Sequence, residues 1–110
     1  MATRRVFVIW TYPLFLEAVR RLLAGHDIEW VGDSSDHAAA REQLARLGPD
    51  TVLVEEGKDV LTEIVQILEA DTNATKVIRL SLAANALSIY RREERTIAQA
   101  DDLFHLVCDE

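Results

Sequence analysis

The sequence predicts an α/β fold built on a mostly parallel, doubly wound sheet. One observation is a run of five apolar residues without alternation, which is typical of a strand buried on both faces. A second is the regular alternation of such runs with stretches of helical periodicity. A third is one connection too short for a crossover helix, which predicts that the last part of the sheet turns back antiparallel. At 110 residues and 49% apolar composition, we expect one domain spanning residues 1–110.

The apolar run covers residues 6–10 and predicts the central strand. Pro13 follows at a position suited to the start of a helix, because its fixed φ matches the first helical residue. In an α/β sheet, the turn after such a strand opens onto the ligand crevice. Trp10, Thr11 and Tyr12 occupy that turn, and none of them is an acid, a glycine or a lysine.

The next seventy residues alternate helical and strand patterns. The first helix is expected to end at Gly25, and the second at Gly48-Pro49. The turn that ends at Asp36 supplies an N-cap for the second helix. The predicted elements are a helix over 13–24 with an apolar stripe of Leu14, Phe15, Ala18, Val19, Leu22 and Leu23, an edge strand over 28–32, a helix over 37–47, a strand over 51–54, a helix over 59–70 and a strand over 76–82.

The pattern changes after residue 82, because only residues 83–86 separate the fourth strand from the next apolar segment. A strand over 87–91 must therefore run antiparallel to the fourth strand, and Asn85 favours the turn between them. Residues 95–98 are either a sixth short strand or the end of one long strand with a bulge. A last helix begins at Asp101 and Asp102, with Ala100, Leu103, Phe104 and Val107 as its buried stripe.

Composition excludes several classes of function. The formal charge of −7 disfavours binding to nucleic acid, because an acidic chain repels phosphate backbones. The only cysteine, Cys108, allows no internal disulfide, which fits a reducing cytosol and predicts a cytoplasmic location. The apolar runs are too short for a signal sequence or a membrane span, so we expect no membrane association.

Four short segments, in the same order along the chain, resemble the receiver domain of bacterial response regulators. They are residues 5–15, 27–36, 48–55 and 77–81, and the likeness covers about residues 4–82. It is greatest to regulators whose receiver precedes a helix-turn-helix domain, although we expect no such domain within this chain. The resemblance implies a flavodoxin-like (CheY-like) sheet, here with an antiparallel strand or hairpin in place of the last crossover helix.

The active positions of that family are mostly replaced. Trp10 and Thr11 stand where the family has the acidic pair that holds Mg²⁺, and Glu55 stands at the phosphoacceptor aspartate. Ser81 matches the switch hydroxyl, and the family's lysine after the fifth strand has no counterpart. The resemblance therefore implies a degenerate receiver, or pseudo-receiver, with no metal, no cofactor and no phosphoryl transfer.

Three groups of residues near the crevice each allow two interpretations. Glu55 is either a permanent mimic of a phosphoryl group or a solvated acid at a strand end, the second being favoured. Trp10 and Tyr12 either form a recognition platform or fill the space of the lost metal site, again with the second favoured. A loop charge run explains Glu55, Glu56 and Lys58 better than an acid/base cluster does. No catalytic or metal role is expected for the remaining candidates, which are His26, His37 and His105, taken as surface residues, and Cys108.

The leading functional hypothesis is a non-catalytic, receiver-like interaction domain that binds a signalling protein or a second copy of itself. The alternative is a small-molecule-binding domain or an enzyme that uses the crevice around Trp10, Thr11, Glu55 and Ser81. Loss of a crossover helix leaves a strand edge unprotected, which predicts a homodimer through residues 87–98. The residues expected at that dimer edge are Leu87, Ile89, Tyr90 and Ile97.

Overall fold

A computed structural model describes residues 4–70, 76–92 and 99–108 of the chain. Its strands and helices alternate in the predicted order, and most boundaries lie within one or two residues of those expected. The elements are β1 (Arg4–Ile9), α1 (Pro13–Leu23), β2 (Ile28–Ser34), α2 (His37–Leu47), β3 (Thr51–Glu55), α3 (Val60–Glu69), β4 (Lys76–Ser81), β5 (Ala86–Arg91) and α4 (Ala100–Cys108).

The strands form one five-stranded sheet in the order β2-β1-β3-β4-β5. The first four strands are parallel, and β5 pairs antiparallel with β4, as the short connection predicts. β2 is an edge strand, which the alternation in its sequence also predicts. The expected strand over 95–98, which contains Ile97, lies outside the described residues.

Each face of the sheet packs against its own helices. Phe7, Ile9 and Val52 are among the core residues on one face, which α2 and α3 cover. Val6, Val8 and Leu53 form the core of the other face, where Phe15 and Val19 of α1 pack. All four residues of β1 from Val6 to Ile9 are at most 4% exposed, so β1 is buried on both faces as its apolar run predicts.

Local sequence explains how α2 begins and ends. The carboxylate of Asp36 accepts hydrogen bonds from the backbone N–H groups of Ala38 and Ala39, so this residue is the predicted N-cap. At the other end Gly48 has φ of 60°, and its N–H donates to the carbonyl of Leu44. Glycine adopts this left-handed conformation without the penalty that a side chain brings.

The connection between β4 and β5 is a tight turn over residues 82–85. Asn85 has φ of 53°, a value that asparagine tolerates better than most residues, so the prediction of a turn here is confirmed. The Ser81 hydroxyl accepts from the backbone N–H of Ala84 and stabilises the start of the turn. No helix in the part of the chain that the structure describes has the length and apolar character needed to cross a membrane.

Two predicted apolar stripes are only partly buried. In α1, Phe15 and Val19 are buried, but Leu14 and Leu22 are 78% and 61% exposed. In α4 the predicted buried stripe is wrong, because its residues Ala100, Leu103, Phe104 and Val107 are all exposed. Helical periodicity predicts that one side of a helix is apolar, but it does not say whether another element covers that side.

A register shift between β1 and β2 brings Gly32 against the core. Val6 pairs with Trp30, but Phe7 pairs with Gly32, so β2 has one extra residue at this point. A Cβ atom at Gly32 would lie 3.1 Å from the Phe7 ring and 3.2 Å from Leu47, which is closer than normal packing permits.

We therefore expect Gly32→Ala to destabilise the protein by about 1 kcal/mol, because the ring of Phe7 has to shift. Urea denaturation followed by circular dichroism measures this change. Gly57→Ala is the matched control, since its added Cβ would have only one neighbour, at 4.0 Å. An equal effect of the two substitutions would contradict a steric role for Gly32.

Candidate functional site

The carboxyl ends of β1 and β3 meet at the point where the chain changes direction across the sheet. From β1 the chain proceeds outward to β2 and then returns to β3 on the other side of β1. In open α/β sheets, ligands bind in the crevice outside such a switch point. Glu55 ends β3 here, and Thr11 and Tyr12 follow β1, so the structure brings these predicted site residues together.

The Glu55 carboxylate bridges this point and binds the backbone of the β1–α1 loop. Its Oε1 accepts hydrogen bonds from the N–H of Thr11 at 2.7 Å and from the N–H of Tyr12 at 3.0 Å. Tyr12 is the N-cap residue of α1, but its side chain makes no capping hydrogen bond. A carboxylate near a helix N-terminus also interacts favourably with the helix dipole. Glu55 ends β3 and is partly exposed, as the favoured interpretation expects, and its hydrogen bonds also make it a structural link between β3 and the start of α1.

Trp10 is held by a different carboxylate, that of Asp33 at the end of β2. The indole Nε1 of Trp10 donates to Asp33 Oδ1 at 3.1 Å, and the indole of Trp30 donates to Oδ2 at 3.3 Å. The Arg20 guanidinium contacts the same Oδ2 at 3.4 Å and lies over the Trp30 ring, 5.2 Å from its centroid. One acid thus accepts from both tryptophans of the chain and pairs with an arginine, which makes it the centre of a polar cluster on the α1 side.

This cluster separates the two aromatic residues that the sequence places together. Trp10 is half-buried against the α1-side core and is committed to Asp33, whereas Tyr12 is 67% exposed. The two rings therefore do not form one recognition platform. Of these two aromatic residues, only Tyr12 lines the crevice at the switch point.

That crevice has a volume of about 420 Å³ and is mostly apolar. Ser81, which the resemblance matches to a switch hydroxyl, lies in its wall, and its oxygen accepts from the Ala84 N–H. The Glu55 Oε1 atom is likewise occupied by backbone donors. The crevice is lined by Tyr12, Leu14, Phe15, Glu55, Glu56, Leu80, Ser81, Leu82 and Ala83.

Glu56, the second acid of the loop, belongs to a network with β4 and β5. Its Oε2 accepts from Arg79 Nε at 2.7 Å, and Arg79 Nη1 donates to the Tyr90 hydroxyl at 3.0 Å. The hydrogen bond to Glu56 raises the pKa of Arg79 above its ordinary value, and the bond to Tyr90 adds to this effect. Glu55 and Glu56 are therefore both held by partners, which corrects their interpretation as a loop charge run.

Tyr90 is also turned away from the predicted dimer edge. It is half-buried, and its ring packs against the core that α2 and α3 cover. The prediction that Tyr90 contributes exposed surface at the dimer edge is therefore wrong. Leu87 and Ile89, on the opposite face of β5, are 58% and 50% exposed as expected.

One of the three histidines also departs from its predicted surface role. His26 and His105 are exposed, but His37 at the start of α2 contacts Glu63 of α3 through Nδ1. The second carboxylate oxygen of Glu63 is buried and has no hydrogen-bond partner within the described residues. Over the same residues, no three His, Cys, Asp or Glu side chains lie close enough together to hold a metal ion.

The most connected residue of the region, Asp33, was not predicted to be a site residue, since its sequence context indicates only a turn. A signal for it does exist in the sequence. A half-buried tryptophan needs an acceptor for its indole N–H, and Trp10 and Trp30 fall on neighbouring strands. Asp33 follows Trp30 by three residues, so the sequence places an acid near the end of the second strand.

Comparisons of the chain with protein-family models, with curated proteins and with solved structures found no match.

Proposed function

We propose that this protein is a non-catalytic, receiver-like interaction domain that acts without phosphorylation and pairs with a second copy of itself. The proposal that the domain acts without phosphorylation is supported by the Glu55 carboxylate, which accepts hydrogen bonds from the backbone of the loop that follows β1. In a phosphorylated receiver, the same position accepts a phosphoryl group. Here it has a structural task in the folded domain, one that modification would disrupt.

The donor set at the switch point supports this proposal. A hard divalent cation takes six or more oxygen ligands. At the end of β1 the chain offers an indole and two backbone N–H groups, and these are donors of hydrogen bonds. Phosphoryl transfer depends on neutralising charge with such a cation, so the arrangement favours a role without catalysis.

The topology is consistent with a receiver-like domain. The strand order β2-β1-β3-β4-β5 is that of flavodoxin-like sheets. The antiparallel β5 is the departure, since a receiver has a parallel strand reached through a further helix. We attribute the interaction role to this altered edge of the sheet.

We expect acetyl phosphate with Mg²⁺ to add no mass to the intact protein, because the position of the acceptor is occupied and its metal ligands are replaced. Intact-protein mass spectrometry after incubation measures this directly. A phosphoryl adduct that forms on the wild type and disappears in Glu55→Gln would contradict the proposal. Ser81→Ala serves as a control for modification of the neighbouring hydroxyl.

The observation that favours self-association is the exposed side of the edge strand β5. Leu87 is 58% exposed and Ile89 is 50% exposed. Within the described sheet, β5 has no strand neighbour on its outer side. An unprotected edge invites pairing with another chain, and closed dimers with two-fold symmetry are the commonest assembly.

Sedimentation equilibrium should therefore give a mass near twice the chain's 12.4 kDa at micromolar concentration. Ile89→Asp should lower it to the monomer mass, because it places a charge on the proposed contact. Leu61→Asp is the matched control, since Leu61 is 52% exposed on α3, which covers the face of the sheet opposite Leu87 and Ile89. A wild type that remains monomeric at high concentration would overturn the self-association.

The second candidate function is binding of a small molecule in the switch-point crevice, which the volume of about 420 Å³ favours. A ligand that binds only the folded state raises the melting temperature by mass action. A thermal-shift screen with nucleotides, flavins and divalent ions therefore separates this function from a purely protein-binding role.

A further inference from the structure

The α1 face of the sheet has an uncovered apolar floor formed by β4 and β5. Ile78 pairs with Ile89 and Leu80 pairs with Leu87, so these four residues share one face of the antiparallel ladder. That face is the α1 side, because Ile78 and Leu80 pack against the α1-side core. We call the surface of Ile78, Leu80, Leu87 and Ile89 the β4–β5 groove.

Only part of the α1 face is covered by a described helix. The buried residues of α1, Phe15 and Val19, pack on Val6, Val8 and Leu53 of β1 and β3. Leu14 and Leu22 of α1 remain exposed, as do Leu87 and Ile89 of the groove. A sheet that is doubly wound buries both faces under helices, so the β4–β5 groove has space for one more helix beside α1.

Two positive charges stand at one end of this groove. Lys76 pairs directly with Arg91 in the register of β4 and β5, on the same face as the groove residues. Like charges that are directly opposite each other in a ladder destabilise it unless an anion lies between them. Among the described residues, neither side chain has an acidic partner. The groove therefore favours an occupant that is apolar along its length and acidic at one end.

Helix α4 has both properties and is not buried by its own chain. Its apolar residues Leu103, Phe104, Leu106 and Val107 are 54%, 63%, 43% and 76% exposed. These residues lie on one side of the helix, and the sequence has acids at both of its ends, with Asp101 in the first turn and Asp109 and Glu110 directly after Cys108. One chain therefore carries an exposed apolar groove with a cationic end and an exposed apolar helix with acids at its ends.

We propose that α4 of a second copy occupies the β4–β5 groove, with an acidic end of the helix at Lys76 and Arg91, and that two copies exchange these helices reciprocally. This proposal rests on the self-association proposed above and identifies its contacts. Exchange of an identical element between protomers is a low-cost route to a dimer, because each contact forms twice under two-fold symmetry.

The exposure of α4 favours the second copy over the same chain, because the described apolar side chains of this helix are not buried by their own chain. Arg92 follows β5, and its Nη1 donates to the carbonyls of Leu68 and Ala70 at the end of α3, at 3.1 and 3.4 Å. Helix α3 covers the opposite face of the sheet from the groove. The Arg92 side chain is therefore held on the face opposite the groove. The eight peptide steps from Arg92 to Ala100 span at most about 29 Å, which is long enough for α4 to reach the groove of its own chain, so the experiment has to separate the two arrangements.

The native Cys108 allows that separation, because it is the only cysteine and lies exposed at the end of α4. Chains carrying a nitroxide on Cys108 are mixed with unmodified, ¹⁵N-labelled chains. We expect the amide signals of Leu87 and Ile89 in the labelled chains to broaden, since the nitroxide reaches them only from a second copy. Broadening that appears only when the nitroxide and ¹⁵N are on the same chain would overturn the exchange.

Substitutions then test the two sides of the contact. Phe104→Asp in the helix and Ile89→Asp in the groove should each raise the dissociation constant of the dimer at least about 30-fold, because each places a charge against an apolar surface. Leu61→Asp should leave it unchanged. An equimolar mixture of the Phe104→Asp and Ile89→Asp chains should recover dimers, since one intact helix then meets one intact groove.

The outcomes distinguish this inference from the proposed function. A wild-type dimer that Phe104→Asp leaves intact, or a mixture without recovery, would overturn helix exchange and leave pairing through β5. A wild type that is monomeric at all concentrations would overturn both. Sedimentation velocity of the four proteins and of the mixture measures every one of these results.

Discussion

Replacing Asp33 with asparagine should lower the free energy of unfolding by about 2–3 kcal/mol, the largest effect expected for any polar residue of this chain. The carboxylate accepts from Trp10 at Oδ1 and from Trp30 at Oδ2, and Arg20 contacts Oδ2 as well. Asparagine keeps one acceptor oxygen and replaces the other with an NH₂ group. That group would face a donor whichever way the amide is oriented, so one half-buried indole loses its partner.

The Arg20 contact contributes little to this figure, because its side chain is 58% exposed and surface ion pairs are weak. Chemical denaturation measures the stability, and intrinsic fluorescence reports the local change, since the only two tryptophans of the chain both donate to Asp33. Glu42→Gln on the exposed side of α2 is the control for loss of a negative charge. An Asp33→Asn protein with wild-type stability and an unchanged emission spectrum would show that the cluster does not exist in solution.

Glu55→Ala should destabilise the protein by about 2 kcal/mol and lower its melting temperature by about 10 °C. The substitution removes the acceptor of the Thr11 and Tyr12 N–H groups and separates β3 from the start of α1. Glu55→Gln should be much milder, because both donors bind the same atom, Oε1, and a glutamine oxygen can accept from both. The two acids differ because Asp33 accepts hydrogen bonds through both carboxylate oxygens, whereas Glu55 accepts them through one.

Differential scanning calorimetry of the alanine and glutamine variants tests this contrast, with Glu42→Ala as the control on an exposed surface. The same pair of variants also tests the hypothesis that Glu55 imitates a phosphoryl group. That hypothesis depends on charge, so it requires glutamine to behave like alanine in any binding assay. A glutamine variant as unstable as the alanine variant would contradict the role of Glu55 as a hydrogen-bond acceptor for the loop.

The arrangement of elements was largely predictable from the sequence because it depends on local patterns. The unbroken apolar run of β1 requires burial on both faces, and Pro13 and Gly48 fix where helices begin or end through their backbone preferences. The four residues before β5 are too few for a crossover, which left only an antiparallel pairing. Each of these conclusions needs information from about ten consecutive residues.

The partners of the polar side chains depend on contacts between distant parts of the chain. Glu55 lies more than forty residues from the amides that it binds, and Trp10 lies 23 residues from Asp33. The sequence singled out Glu55 and Ser81 only through a resemblance to the active positions of receiver domains. The sequence did not reveal that the Glu55 carboxylate binds the loop after β1, or that the Ser81 hydroxyl binds the turn between β4 and β5.

What the sequence alone determined is the order of the elements, the antiparallel return of β5 and the side of each helix that is apolar, because chain geometry and periodicity fix these locally. Only the tertiary structure decided which of those apolar sides are covered. The same periodicity runs through α3, which is packed on the core, and through α4, which is exposed. Burial is a property of two surfaces that meet, and a sequence pattern describes only one of them.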